Sequence, residues 1–391
     1  MSSFVENCIK KEQLRQDSTI ELIASENFVS DRIRAALGSC LTNKYSEGYP
    51  KERSTGNCGR YYGGCAHVDD IEEYCCDKWK EVFATDYHVN VQPHSGSSAN
   101  MEAYMSLLIP GDKILSMGLN DGGHLTHGSS VNFSGKLFQI HNYPLDVDGF
   151  IDYDRVRELA LQIKPKLIVA GASAYSRTID FYEFYTIAQS CGAYFMVDMA
   201  HIAGIIAAGR HMSPFGLADI ITTTTHKTLR GPRGGMIFCK PELAKKVDSA
   251  VFPGCQGGPL QHVIAAKAIC AEEALTKEYS QYIDRVLSNS KAMCDRFLSL
   301  GYKVVTGGTD NHMFVLDLSN LGITGKQAQD ELESWGITLN KNCVPGEKRS
   351  PKEASGIRIG TPAMTTKGWD QDDFVHCANI IDKRLQALTL D

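Results

Sequence analysis

Six short apolar runs dominate the middle of the chain: "DKILSMG" (112–118), "KLFQIHNY" (136–143), "PKLIVAG" (165–171), "AYFMVDM" (193–199), "DIITTTT" (219–225) and "GGMIFCK" (234–240). They are too short for helices, and they read as strands buried on both faces. Amphipathic segments such as "DYDRVRELALQI" and "FYEFYTIAQSCG" lie between several of them, the second stopping at a glycine. This alternation predicts an α/β fold with a mainly parallel, doubly wound sheet. "KWKEVFATDYHVNVQPHSGSSANMEAYMSLL" adds a helix, a turn and a Ser/Gly-rich loop that opens another helix.

After Pro259 the pattern changes. Residues 261–301 read as a long helical stretch broken once, followed by "YKVVTGG", "HMFVLDL", "GITLNKN" and "GIRIGTP" interleaved with helices. That is a smaller C-terminal α/β unit with an antiparallel sheet. The start of the chain has too little apolar periodicity for a domain of its own. The expected division is a helical arm over 1–45, a large domain over 46–262 and a small domain over 263–391.

Charge and cysteine usage narrow the function classes. Forty basic and 46 acidic residues give a net charge of −6, unlike a dedicated nucleic-acid binder. No apolar run approaches membrane-spanning length. "MSSFVENCIKKEQLRQDSTIELIASENF" lacks a signal-peptide core, and Glu6, Glu12 and Asp17 argue against a transit peptide, so the cytoplasm is expected. The thirteen cysteines are odd in number and scattered, with only Cys75 and Cys76 adjacent. They form neither a disulfide framework nor a metal-ligand spacing, and no metal is expected.

Ligands of open α/β sheets bind beyond the carboxyl ends of the strands. Asp198 ends "FMVD", and His201 follows three residues later. His226 and Lys227 follow "IITTTT". "HSGSSAN" (94–100) opens a helix whose free N–H groups and dipole suit a phosphate. Singly, each has a plainer explanation: a helix cap, a core histidine, a salt-bridge lysine. Together they match pyridoxal 5'-phosphate, which needs a lysine amine for its aldehyde, an anion for its ring nitrogen and donors for its phosphate. The threonine hydroxyls would satisfy polar groups in a site too tight for water.

The chain resembles the serine hydroxymethyltransferase family, fold-type I pyridoxal-phosphate enzymes of the aspartate aminotransferase-like class. The resemblance runs from "ELIASENFVS" to "SGIRIGTPAMT" and includes "NKYSEGYP", "RYYGG", "VQPHSGSSAN", "GGHLTHGS", "NFSGK", "VDMAHIAG", "TTTTHKTLRGPRGG", "VFPGCQGGP", "GGTDNH" and "NKNCVP". It implies that Lys227 is the Schiff-base lysine, that Asp198 pairs with the pyridine nitrogen and that His124 stacks on the ring. His201 and Ser173 would lie near the phenolic oxygen. Gly96, Ser97 and His226 would hold the phosphate, with Tyr45 and Gly257 approaching from a neighbouring subunit. A homodimer with shared sites is therefore the expected minimum, with a tetramer left open.

On the substrate side the resemblance implies that Arg358 grips the amino-acid carboxylate, near Ser25. Glu47 would be the acid–base carboxylate. Tyr61 and Tyr62 would line the substrate and folate region, and Leu119, Gly123, Leu125 and Asn342 would contact the folate. The implied reaction interconverts serine and tetrahydrofolate with glycine and 5,10-methylenetetrahydrofolate through a pyridoxal-phosphate aldimine. Two departures stand out. "KERSTGNCG" (51–59) lengthens the segment between Glu47 and Tyr61, and Asn120-Asp121 replaces the common histidine-containing form of "HGGH". The competing readings are a folate-independent threonine aldolase-like enzyme and a catalytically silent scaffold or RNA-binding paralogue.

Overall fold

The structure, a computed structural model, describes residues 3–50 and 59–389. Its strands are β1 Ile20–Glu21, β2 His88–Asn90, β3 Lys113–Met117, β4 Gln139–Tyr143, β5 Leu167–Ala170, β6 Tyr194–Asp198, β7 Ile220–Thr224, β8 Gly235–Cys239, β9 Lys303–Val304, β10 Met313–Asp317, β11 Ile337–Thr338, β12 Asn340–Asn342 and β13 Gly356–Gly360. All six apolar runs of the middle region contain a strand. "KLFQIHNY" differs in detail: its first two residues finish the short helix Phe133–Leu137, and the strand starts at Gln139.

The large sheet has the order β2-β8-β7-β6-β5-β3-β4. The pairs β3–β4, β3–β5, β5–β6 and β6–β7 are parallel, whereas β7–β8 and β8–β2 are antiparallel. The sheet is thus mainly parallel, as expected, with an antiparallel edge. Side-chain alternation sends successive residues to opposite faces. Phe195, Val197, Ile221 and Phe238 join one apolar layer with Trp79, Phe83, Phe181 and Phe184. Met196, Ile220 and Ile237 join the other with Tyr104 and Phe138. Burial on both faces is what makes these strands continuously apolar in sequence.

The smaller sheet, β12-β13-β10-β9, is antiparallel throughout. It packs on the helices Lys277–Ser299 and Gln371–Ala387 through Phe297, Phe314, Phe374 and Ile381. β1 pairs in parallel with β11, and Leu22 is buried in the same cluster, so the start of the chain is tied to the small unit. The long helical stretch is broken once, into Gln261–Ala274 and Lys277–Ser299. Tyr279 to Val286 of the second helix pack with the large core, and Met293 to Phe297 with the small one. No helix among the described residues is long and apolar enough to cross a membrane. Most of the extra segment at 51–59 lies outside the described residues, which resume at Gly59.

Candidate active site

Parallel neighbours bring several strand ends to one place. Asp198 ends β6 and pairs in register with Thr222 of β7, two residues before that strand stops. Gly171 to Ser173 follow β5, whose neighbour is β6, and the turn from Gly118 to His124 follows β3. Gly171 is held at φ +131°, and a Cβ there would stand 2.1 Å from the Asp198 carbonyl oxygen. These ends enclose a cleft of about 490 Å³ lined by Ser25, Gly96, Ser97, His124, Ser173, Asp198, His201, His226, Lys227 and Arg358. Glu26, Asn100, His127, Thr224 and Arg233 line it too.

Asp198 is held as an anion. Its Oδ2 accepts from Asn100 Nδ2 at 2.9 Å and lies 3.0 Å from His127 Nε2. Its Oδ1 accepts from the Ala200 N–H at 3.2 Å. His127 Nδ1 accepts from the His124 N–H at 3.3 Å, so the proton belongs on Nε2, facing the carboxylate. Burial pushes the Asp198 carboxyl upward, but the hydrogen bond from His127, with the nearby Lys227 ammonium, outweighs it and leaves it below the usual range. Asn100 is fixed in turn, accepting from Thr222 Oγ1 at 2.6 Å and donating to Thr126 Oγ1 at 2.7 Å.

Lys227 is 9% exposed. Burial brings its ammonium down to about 8; Asp198 opposes the shift, while Arg358 and Arg233 reinforce it. An amine in this range carries an appreciable neutral fraction near physiological pH, far more than an ordinary lysine, and nucleophilic attack draws on that fraction. Burial also lowers His226 to about 3 and His124 to about 4, so both imidazoles are neutral. His201 is driven well below the ordinary histidine value by burial, then by Lys227, Arg358 and His312. Its Nδ1 lies 3.2 Å from His312 Nε2, and the two rings stack.

The threonine run has a structural logic. Thr222 bonds Asn100, Thr223 donates to the Thr224 carbonyl at 3.1 Å, and Thr225 donates to the Pro232 carbonyl at 2.5 Å. Of the four, only the Thr224 hydroxyl is buried without a partner among the described residues, and Thr224 lines the cleft. Opposite it begins the helix Gly96–Leu107, capped by Ser95. A Cβ on Gly96 would come 2.6 Å from Thr224 Cγ2, so glycine keeps this approach open. An orphan hydroxyl, a helix start, a neutral His226 and Arg233 make a fitting cradle for a phosphate. With the Asp198 anion and the Lys227 amine in the same cleft, the donor set fits pyridoxal 5'-phosphate.

Arg358 projects from β13, where it pairs in register with Asn340 of β12. Its Nη1 donates to the Ser173 carbonyl at 2.6 Å and its Nε to Asn340 Oδ1 at 3.1 Å. These bonds hold the guanidinium at the cleft from the small unit's side. Burial lowers it to about 10, which leaves it charged at neutral pH.

A second group of sequence-selected residues lies apart: Tyr45, Glu47, Tyr61, Tyr62 and Gly257 do not line the cleft. Tyr45 donates to Glu47 Oε1 at 3.3 Å and packs edge-on to Tyr62, with ring centroids 5.1 Å apart. Glu47 Oε1 lies 2.9 Å from where a Cβ on Gly257 would stand. Tyr61 packs on Phe252. Tyr45, Tyr61 and Tyr62 are 55%, 74% and 46% exposed, unusual for a tyrosine cluster. The segment beneath is firm: Arg60 donates to the carbonyls of Ser46 and Gly48 and pairs with Asp69 and Glu72.

The residues expected at the folate divide similarly. Leu119 and Leu125 are exposed on turns beyond β3, whereas Gly123 is buried against the Met117 carbonyl. Asn342, at the end of β12, shares a narrow crevice with Asn120 and Asp121. Burial raises the Asp121 carboxyl. Sequence reading missed His127, Asn100, Asn340, His312 and Arg233. Only His127 carried a visible signal, as the second histidine of "HLTH".

Comparison with known proteins agrees with this geometry. The profile of the family described as serine hydroxymethyltransferase matches residues 2–381. The chain is 57% identical over 378 residues to a serine hydroxymethyltransferase of Lactobacillus johnsonii, covering 96% of this chain and 90% of that protein. It is 56% identical over 382 residues to the one from Lactobacillus gasseri, covering 97% and 91%. The chain belongs to the serine hydroxymethyltransferase family.

Proposed function

We propose that the chain is a pyridoxal-phosphate-dependent serine hydroxymethyltransferase, interconverting serine and tetrahydrofolate with glycine and 5,10-methylenetetrahydrofolate. The observation that carries this is the pairing, in one buried cleft, of a carboxylate held ionised at the end of β6 with a lysine amine lowered to about 8 just beyond β7. When bound, the cofactor supplies a sink for the electron pair left on the substrate α-carbon. The protein's residues do the rest.

Asp198 would keep the ring nitrogen protonated, with His127 and Asn100 holding its orientation. Gly96, Ser97, the Thr224 hydroxyl, His226 and Arg233 would hold the phosphate. His124, neutral, would cover the ring face, and His201 and Ser173 would border its phenolic oxygen. Lys227 would anchor the aldehyde in the resting enzyme and be displaced by the substrate amine. Arg358 would grip the substrate carboxylate bidentately, with Ser25 beside it. Glu47 would take and return a proton around the hydroxymethyl group and the folate nitrogen, general acid–base work worth about 10²–10⁴-fold in rate. Leu119, Gly123, Leu125, Tyr61 and Asn342 would contact the folate.

The exposed Tyr45–Glu47–Tyr62 cluster supports a shared site, in which a second copy of the chain supplies these residues and Gly257. We therefore propose a homodimer as the working unit, in the cytoplasm. We also propose an arm over 1–45, a large unit over 46–262 and a small unit over 263–391. Separate apolar clusters support the distinction between the units, and the helices after residue 261 run from one cluster to the other. Following serine consumption with and without tetrahydrofolate tests the reading. Consumption should depend on folate and yield glycine; folate-independent cleavage of 3-hydroxy amino acids alone would favour the aldolase class.

A further inference from the structure

Asn27 sits two residues after Ser25, outside every role assigned above. Its carboxamide is fully used. Nδ2 donates to the Lys227 carbonyl at 3.0 Å and to the Tyr282 hydroxyl at 2.8 Å. Oδ1 accepts from the Phe28 N–H at 2.9 Å and from Thr366 Oγ1 at 2.7 Å. The orientation of the amide is fixed by chemistry: the Lys227 carbonyl can only accept, and the Phe28 N–H can only donate. Two donors and two lone pairs are thereby satisfied, and a flipped amide would lose bonds on both sides.

The partners come from distant parts of the chain. Thr366 ends the short helix Pro362–Thr366 that follows β13 and Arg358. Tyr282 belongs to the helix that joins the two cores, and its hydroxyl also donates to the Pro362 carbonyl at 3.3 Å. The Lys227 carbonyl receives a second bond, from the Arg230 N–H at 3.0 Å. Arg230 adopts a left-handed φ of +59°, which a non-glycine side chain takes only at a cost. Its guanidinium lies 4.5 Å from the centre of the Tyr282 ring, a cation–π contact that offsets the cost. The turn carrying the lysine is therefore pinned from outside the large sheet.

We infer that Asn27 is a positioning residue for Lys227: through the Asn27–Tyr282–Thr366 clamp, the N-terminal segment and the small unit hold the lysine turn in its buried, water-excluded position. The inference rests on the proposed role of Lys227 as the amine that takes the cofactor. Its function would be to keep the amine desolvated, and so reactive, until substrate arrives. Because Arg358 precedes Pro362 in the same stretch, the carboxylate-binding arginine and the lysine turn would be kept in register.

The test follows pyridoxal phosphate uptake by the full-length, cofactor-stripped protein, read from visible absorbance across a pH series. The parent should show a midpoint near the lysine value of about 8. In Asn27→Ala the loosened turn admits water and the midpoint moves to higher pH. Uptake on the acid side then slows about tenfold for every pH unit the midpoint rises. Thr366→Val, which removes one bond and keeps side-chain size, should move the midpoint the same way by less. Thermal denaturation checks that both variants fold. If both variants fold and keep the parent's midpoint, the inference is overturned. If the parent itself takes up no cofactor, or Lys227→Ala takes it up equally well, the reading of Lys227 fails instead. If Asn27→Ala does not fold, Thr366→Val decides.

Discussion

Arg358 and Lys227 show how burial sets the chemistry of a cationic residue. Both are desolvated, yet arginine starts high enough to stay charged, while the lysine falls to where it can lose its proton. An arginine is needed where a carboxylate must be gripped, and a lysine where an amine must react. Arg358→Lys keeps a cation but loses the planar fork and the geometry of its bonds to Ser173 and Asn340. The KM for serine should rise by about 10–100-fold with a smaller change in kcat, measured by steady-state kinetics at saturating folate; an unchanged KM would remove Arg358 from carboxylate binding. At this scale the sequence was readable where a residue type is odd for its place, as with an aspartate ending an apolar strand or a lysine after four threonines. Asn100 and Asn340 were not readable, and His127 showed only as the second histidine of "HLTH". The partners of Asn100, His127 and Asn340 lie 98, 71 and 18 residues away, and a neighbourhood made by folding leaves little local mark.

The helix Gly96–Leu107 does two jobs. Its first turn faces the cleft, and its middle buries Glu102, whose two carboxylate oxygens have no hydrogen-bond partner among the described residues. Burial raises this acid to about 8, with Lys267 opposing, and the Lys267 ammonium is already bonded to the carbonyls of Val91, Pro93 and Gly235. The folded chain thus holds a proton here that the unfolded chain releases in the ordinary carboxylate range. Stability from this group is complete in acid and is lost as pH rises towards about 8, by on the order of a few kcal/mol. Glu102→Met should flatten that slope and raise the melting temperature most at alkaline pH, as read by calorimetry across pH. An unaltered slope would mean that Glu102 is solvated or paired. Sequence pattern located this helix and both long helices after it, because caps, periodicity and stops are local. It missed β2, a three-residue edge strand defined only by its pairing with β8.

On the scale of the whole molecule, the residues proposed for one reaction fall into two groups that a single chain does not bring together. Lys227, Asp198 and Arg358 share the cleft, while Tyr45, Glu47 and Tyr62 form an exposed cluster held by Arg60. If a second copy completes the site, mixing Lys227→Ala with Glu47→Ala subunits, each inactive alone, should restore about a quarter of parental activity, since half the random dimers carry one intact site. No recovery after verified subunit exchange would place both groups in one subunit's site. The strand alternation made the architecture legible. The separation of the two groups was legible only through the resemblance, which assigned Tyr45 and Gly257 to a neighbouring subunit; it did not place Glu47, Tyr61 and Tyr62 with them. The most direct measurement is to reduce the cofactor-loaded protein with borohydride and map by peptide mass spectrometry the lysine that retains the cofactor. The label should fall on Lys227 and vanish in Lys227→Ala; a label on another lysine, or none on a folded and cofactor-supplied protein, would contradict the assignment.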